Sequence, residues 1–173
     1  MEKLRPTPYA RRMYGFTKPV DFEVAMNYGL ALMVIAGSDG ELADGEMQWY
    51  LDEQALMLAD SGEYIDALRE VDWTSVELPE LLRHLNDDFP LNVRRSLLYQ
   101  AIKMCRADGE YHERERATIQ AAAKVLSIEP NVLASLEALA ELEDSCDRLR
   151  LSLLETHSGT ANPRTPNGDQ GPN

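Results

Sequence analysis

The octapeptide Asp39-Gly-Glu-Leu-Ala-Asp-Gly-Glu46 returns sixty-nine residues later as Asp108-Gly-Glu-Tyr-His-Glu-Arg-Glu115, so that D-G-E-x-x-x-x-E occurs twice in a chain of 173 residues. Each copy follows an apolar run of helical period and precedes another helical segment. Two such junctions predict a duplicated unit, helix–acidic turn–helix, and with it an all-α single domain. At this offset residues 28–59 and 97–128 agree only at the four motif positions. The likeness of the two halves therefore lies in the turn more than in the helix faces.

The periodicity fills in a bundle of about seven helices. Asp21 is placed to cap a helix reaching about Gly37, with Leu32, Met33 and Ala36 on its apolar face and Tyr28 and Ile35 beside it. A second helix starts near Asp44 and points Met47, Tyr50, Leu51, Ala55 and Leu58 inward. Ser61-Gly62 breaks it, and a short helix from Glu63 to Val71 follows. Thr74-Ser-Val-Glu77 has the form of a capping box and opens a helix to about Leu85, with Asn86-Asp-Asp-Phe-Pro90 as the next break. Beyond Pro90, Leu98, Ala101, Ile102 and Cys105 share a face, as do Ile119, Ala122, Ala123 and Leu126 in the following helix. Pro130 occupies a first-turn position of a last helix that runs to about Leu154. Residues 1–20 read as a basic N-terminal arm packing at Tyr14 and Phe16, residues 21–154 as the helical domain, and residues 155–173 as a disordered tail rich in Gly, Pro and Asn.

Charge narrows the partners. The formal net charge is −13, and residues 21–82 hold fifteen acids against Arg69 alone. Such a surface repels nucleic acid and suits a basic protein partner. The arm, with Lys3, Arg5, Arg11, Arg12 and Lys18, is suited at most to peripheral contact with an anionic membrane surface. The longest apolar stretch, Leu30 to Ala36, is too short to cross a bilayer, and no signal-peptide core precedes it. Cys105 and Cys146 lie far apart, in no metal-type spacing, which fits a reduced, cytoplasmic setting. No Gly-rich phosphate loop, H-E-x-x-H or nucleophile elbow occurs, and the expectation is a protein without catalytic activity.

The acidic turns admit two readings. In the first they need no ligand: Gly40 and Gly109 end a helix in the left-handed conformation, Asp39 and Asp108 hold the turn, and Glu46 and Glu115 serve the next helix as first-turn carboxylates. In the second, Asp39, Glu41, Asp44 and Glu46 with Asp108, Glu110 and Glu115 are oxygen ligands for a divalent cation, whether calcium, magnesium or zinc. The spacing is not that of an EF-hand, because Ala43 and Asp44 stand where that loop needs an acid and a glycine. The first turn has no base nearby, while Arg106, Arg114 and Arg116 surround the second and can neutralise it. The first is thus the stronger site alone, unless the turns meet and share one. His112 adjoins the second turn as a further donor, Glu113 is a carboxylate at a variable position, and Cys105 reads as a packed side chain.

The strings Leu32-Met-Val-Ile-Ala-Gly-Ser-Asp-Gly-Glu41 with Glu46, and Ala101-Ile-Lys-Met-Cys-Arg-Ala-Asp-Gly-Glu110 with Glu115, resemble the signature of the TerB-like family over roughly residues 21–140. That family includes tellurite-resistance proteins and the related domain of membrane co-chaperones. The resemblance implies an all-α bundle with internal pseudo-symmetry, a role in bacterial stress or tellurite resistance, and acidic residues that bind metal without catalysis. Residue by residue, the acidic site falls on Asp39, Glu41 and Glu46 and on Asp108, Glu110 and Glu115. The first copy departs from the pattern at Gly37-Ser38, and the absence of a J-domain withholds the co-chaperone role. The readings carried forward are a TerB-like protein that binds a cation or a protein partner through paired acidic turns, and a structural or adaptor bundle whose turns are only helix caps. A third, a metal-assisted hydrolase, has the least support.

Overall fold

The computed structural model describes residues 3–109 and 111–155. Among them, eight α-helices account for nearly all the regular structure: α1 Pro8–Tyr14, α2 Phe22–Ala36, α3 Asp44–Met57, α4 Gly62–Glu70, α5 Leu78–Asp88, α6 Leu91–Cys105, α7 Glu113–Val125 and α8 Pro130–Leu154. Two-residue strands β1, Arg5–Pro6, and β2, Leu58–Ala59, pair antiparallel. α2 packs on α6 at the centre of the bundle, and Leu32, Met33, Ile35 and Ala36 of the one and Leu98, Ala101, Ile102 and Cys105 of the other are all buried. The α6 and α7 faces expected from the three–four spacing are buried throughout. α2–turn–α3 and α6–turn–α7 are the two copies of the repeated unit, and they contact each other reciprocally. The 3-10 turn Gly37–Asp39 after α2 lies against α7, and Gly45 at the start of α3 lies against Asp108.

Tyr50 and Leu51 of α3 and Leu58 just after it are buried as expected and Met47 is half-buried, but the buried face is wider than expected and partly polar. Ala55 is exposed, and Glu46, Tyr50, Glu53, Gln54 and Met57 point inward. The added polar residues follow from hydrogen bonding, since a buried polar group is tolerable when its partners come with it. Glu53 accepts from the hydroxyls of Tyr9, at 3.0 Å, and Tyr14, at 2.5 Å. The Gln54 amide oxygen lies 3.1 Å from the Tyr64 hydroxyl, and its Nε2 donates to Gln100 Oε1 at 3.4 Å. The residues before α2 are consequently no loose arm. Thr7 caps α1, the Leu4–Val20 bridge closes the segment, and its two tyrosines dock on one carboxylate of α3. Tyr14 and Phe16 pack on the domain as expected.

The Thr74 capping box does not form. Asp72 accepts from the Thr74 backbone N–H and hydroxyl, drawing Trp73–Ser75 into a 3-10 turn, and α5 begins only at Leu78 with Pro79 in its first turn. It then runs through the expected break as far as Asp88. Trp73 closes over the end of α2: a Cβ on Gly37 would lie 2.4 Å from its ring. That contact accounts for the glycine at the position where the first motif departs from its pattern. The tail expected to be disordered lies outside the described residues, apart from Glu155.

Candidate functional site

Each acidic turn is built the same way. The chain leaves α2 or α6, turns at a glycine with positive φ (110° at Gly40, 93° at Gly109), and enters the next helix three to four residues on. A side chain at either glycine would meet no neighbour, so the requirement is conformational. Inside the following helix, Glu46 turns back to accept the Ala43 backbone N–H at 2.8 Å, and Glu115 accepts that of His112 at 2.8 Å. Each is half of a capping box, because Ala43 has no polar side chain to return the bond and His112 makes no side-chain cap bond.

Those two glutamates are also where the copies meet. Both are buried, at 4% and 1% exposure, and both face the buried thiol of Cys105 at the end of α6. One carboxylate oxygen from each and the Cys105 Sγ lie within 4.8 Å of one another. Burial pushes the Glu46 carboxyl up to about 8. The Ala43 N–H pulls it down, and the hydrogen bond and charge of Glu115 add to the rise. Glu115 is raised as well, first by burial, although the His112 N–H, the Glu46 carboxyl and the Cys105 thiol all donate to it. The thiol is pushed far up by burial and by both carboxylates. Burial thus favours the protonated forms of both carboxyls and of the thiol.

The other expected site residues lie around this core. Asp39 is half-buried: its Oδ1 accepts the Glu41 N–H at 3.1 Å, its carbonyl accepts from Arg114, and its Oδ2 lies 3.9 Å from His112 Nε2. Glu41, Asp44, Asp108 and Glu113 are exposed, and Glu110 lies outside the described residues. The three arginines near the second turn take other partners. Arg106 pairs with Asp144 at 2.8 Å, Arg114 crosses to the first turn, and Arg116 lies over the Tyr111 ring at 4.4 Å, within 4.0 Å of Glu137. The two turns thus meet, which is the case in which one shared site could draw on both, and each brings one buried glutamate to the contact. Cys105 is the member that sequence reasoning set aside as packing. It stands three residues before Asp108, where the first copy has Ala36 three before Asp39, so the duplication itself marked it as a donor replacing a methyl group.

The family model of the tellurite resistance protein TerB matches residues 53–138, which takes in the second acidic turn but not the first. A crystal structure of a tellurite resistance protein from Nostoc punctiforme matches with 28% identity and a TM-score of 0.68, covering 83% of this chain and 88% of that one. No curated protein matches.

Proposed function

The chain belongs to the TerB-like family, and from that premise we propose that it serves in bacterial tellurite or stress resistance as a non-enzymatic protein binding one divalent cation between its two acidic turns. The observation that carries this is the meeting of Glu46, Glu115 and Cys105, two of them from equivalent positions of the duplicated unit, with their ligand atoms within 4.8 Å. Of the three ions considered, zinc suits the donors best. Calcium takes six to eight oxygens, whereas two carboxylates and a thiol make the mixed oxygen–sulfur set of a tetrahedral zinc site with its fourth position open. Ligand-to-metal distances of about 2.0–2.3 Å ask the three side chains to draw together by only about 1 Å. Tellurite itself, an oxyanion, would be repelled by buried carboxylates in a chain of net charge −13, so the reading is a cation site and not an oxyanion site.

Binding would displace the protons held on the glutamates and the thiol. Calorimetry with zinc in buffers of different ionisation heat should therefore report proton release. At a hundredfold excess over Kd the ion should raise stability by about 2.7 kcal/mol. Cys105→Ala and Glu115→Gln should each weaken that response, and exposed Asp44→Asn should leave it intact. The competing reading, helix caps without a ligand, draws on the two backbone hydrogen bonds that Glu46 and Glu115 already make. It gains the decision if millimolar zinc, manganese, calcium and magnesium all leave the melting temperature unmoved.

A further inference from the structure

The last helix extends well past the bundle it belongs to. α8 is anchored by buried Leu133 and Ala140 and by Asp144, whose carboxylate holds Lys103 at 2.5 Å and Arg106 at 2.8 Å. Every residue from 145 to 154 is exposed. On the face turned away from Ala140, Leu139, Leu142, Cys146, Leu149 and Leu153 recur at intervals of three, four, three and four. The four leucines are 43%, 61%, 60% and 74% exposed. A single exposed leucine is ordinary, but four in register with period 3.5 form the seam that a second helix packs against.

We propose that this stripe is a homodimer interface in which α8 of one chain packs antiparallel against α8 of a second copy. In the antiparallel register Cys146 faces Leu149 of the second copy and Leu142 faces its Leu153. The flanking positions then set Glu143 beside Arg150 of the second copy, and by symmetry the pair forms twice. Glu143 uses Oε2 for Tyr99 and Lys103, which leaves its other oxygen for this contact. A parallel pairing offers no such match, because Ala138 and Ser145 would stand opposite Glu143 and Arg150. The exposed leucines and Cys146 amount to on the order of 400–500 Å² of apolar surface per chain, at the upper range of patches on a monomer. With flanking side-chain stems added, a pair buries roughly 1,200 Å², the lower bound for a specific interface. A membrane is a poorer occupant: residues 139–154 carry Glu141, Glu143, Asp144 and Asp147 against Arg148 and Arg150, the wrong balance for an anionic lipid surface.

The proposal goes beyond the cation reading and does not depend on it, since none of the stripe residues touches the Glu46–Glu115 centre. Light scattering on the full chain at about 100 µM, a concentration at which even a weak specific interface is populated, should give twice the monomer mass. Leu142→Asp with Leu149→Asp should give a monomer with unchanged circular dichroism, because both positions are exposed, and with the melting temperature of wild type diluted until it dissociates. Orientation is read in a Cys146→Ser background: Leu142→Cys mixed with Leu153→Cys should form a mixed disulfide, and neither alone a homodisulfide. A monomeric wild type, a dimer that survives both aspartates, homodisulfides in place of the mixed one, or a monomer that binds anionic vesicles through this helix would each overturn it.

Discussion

Replacing Glu46 by glutamine should stabilise the metal-free protein at alkaline pH, the reverse of what loss of a buried, hydrogen-bonded carboxylate would ordinarily do. In the folded chain the Glu46 carboxyl is raised from 4.5 to about 8, chiefly by burial. Between those values the folded state keeps a proton that the unfolded chain has released. Stability linked to this group is therefore fully present below the unfolded value, declines as pH rises, and levels off above the folded value. One proton contributes a slope of at most about 1.4 kcal/mol per pH unit, so the fall across the window is on the order of a few kcal/mol. Glutamine is neutral throughout. Its oxygen can keep the Ala43 N–H, and its NH₂ group can donate to Glu115 as the protonated carboxyl does. The variant should match wild type near pH 5 and exceed it by about 1–3 kcal/mol near pH 8.5. Urea unfolding at intervals between those limits, with a chelator present, measures both curves. The reasoning fails if wild-type stability is flat across the window, or if the glutamine variant is the less stable of the two at alkaline pH.

Other outcomes follow from the same contacts. Asp39→Asn with Glu46→Gln and Asp108→Asn with Glu115→Gln should reduce the zinc-induced rise in melting temperature to a similar extent, since each removes one of two buried carboxylates; loss confined to the first pair would restore a one-turn site. Glu53→Ala should cost about 2 kcal/mol in urea unfolding, because the Tyr9 and Tyr14 hydroxyls lose their common acceptor, and should expose the segment before α2 to protease. Gly37→Ala should cost about 1–3 kcal/mol in the same assay, with Trp73→Leu relieving part of it, as the added methyl would enter the Trp73 ring.

The sequence carried the architecture wherever one face of a helix is purely apolar. The inner faces of α6 and α7 were legible because Leu98, Ala101, Ile102 and Cys105, and Ile119, Ala122, Ala123 and Leu126, recur at three–four spacing, although buried Gln100 and Glu115 beside them were not. Around α3, Tyr50, Leu51 and Leu58 were read correctly, but Glu53 and Gln54 were missed because their partners Tyr9, Tyr14, Tyr64 and Gln100 come from segments 10 to 46 residues away. No local pattern encodes a hydrogen bond over that separation. The α5 start failed for a more local reason: Asp72 competed with Thr74 for the role of cap, and Pro79 could enter only a first turn. At the site, the motif marked Glu46 and Glu115 among seven carboxylates but could not say which of them turn inward. Among the described carboxylates of the two turns, Glu46 and Glu115 are the ones that reach back to a helix N-terminus, and they are the buried ones. Asp44 and Glu113, at the first position of the same helices, stay in water.

A unit that packs against its own copy sets like against like. Whatever charge one copy brings to the middle, the other brings too, so a carboxylate there can never find its counter-ion at the equivalent position of its twin. Neutrality has to come from something small enough to sit between them, a proton or a metal ion, or from a residue at which the copies have diverged. Glu46 and Glu115 pose that problem, and the divergence of Ala36 from Cys105 is an asymmetry at their contact. A chain with alanine at 105 would leave the two carboxyls facing each other and, on the proposed reading, would lose the donor that separates a soft cation from a hard one.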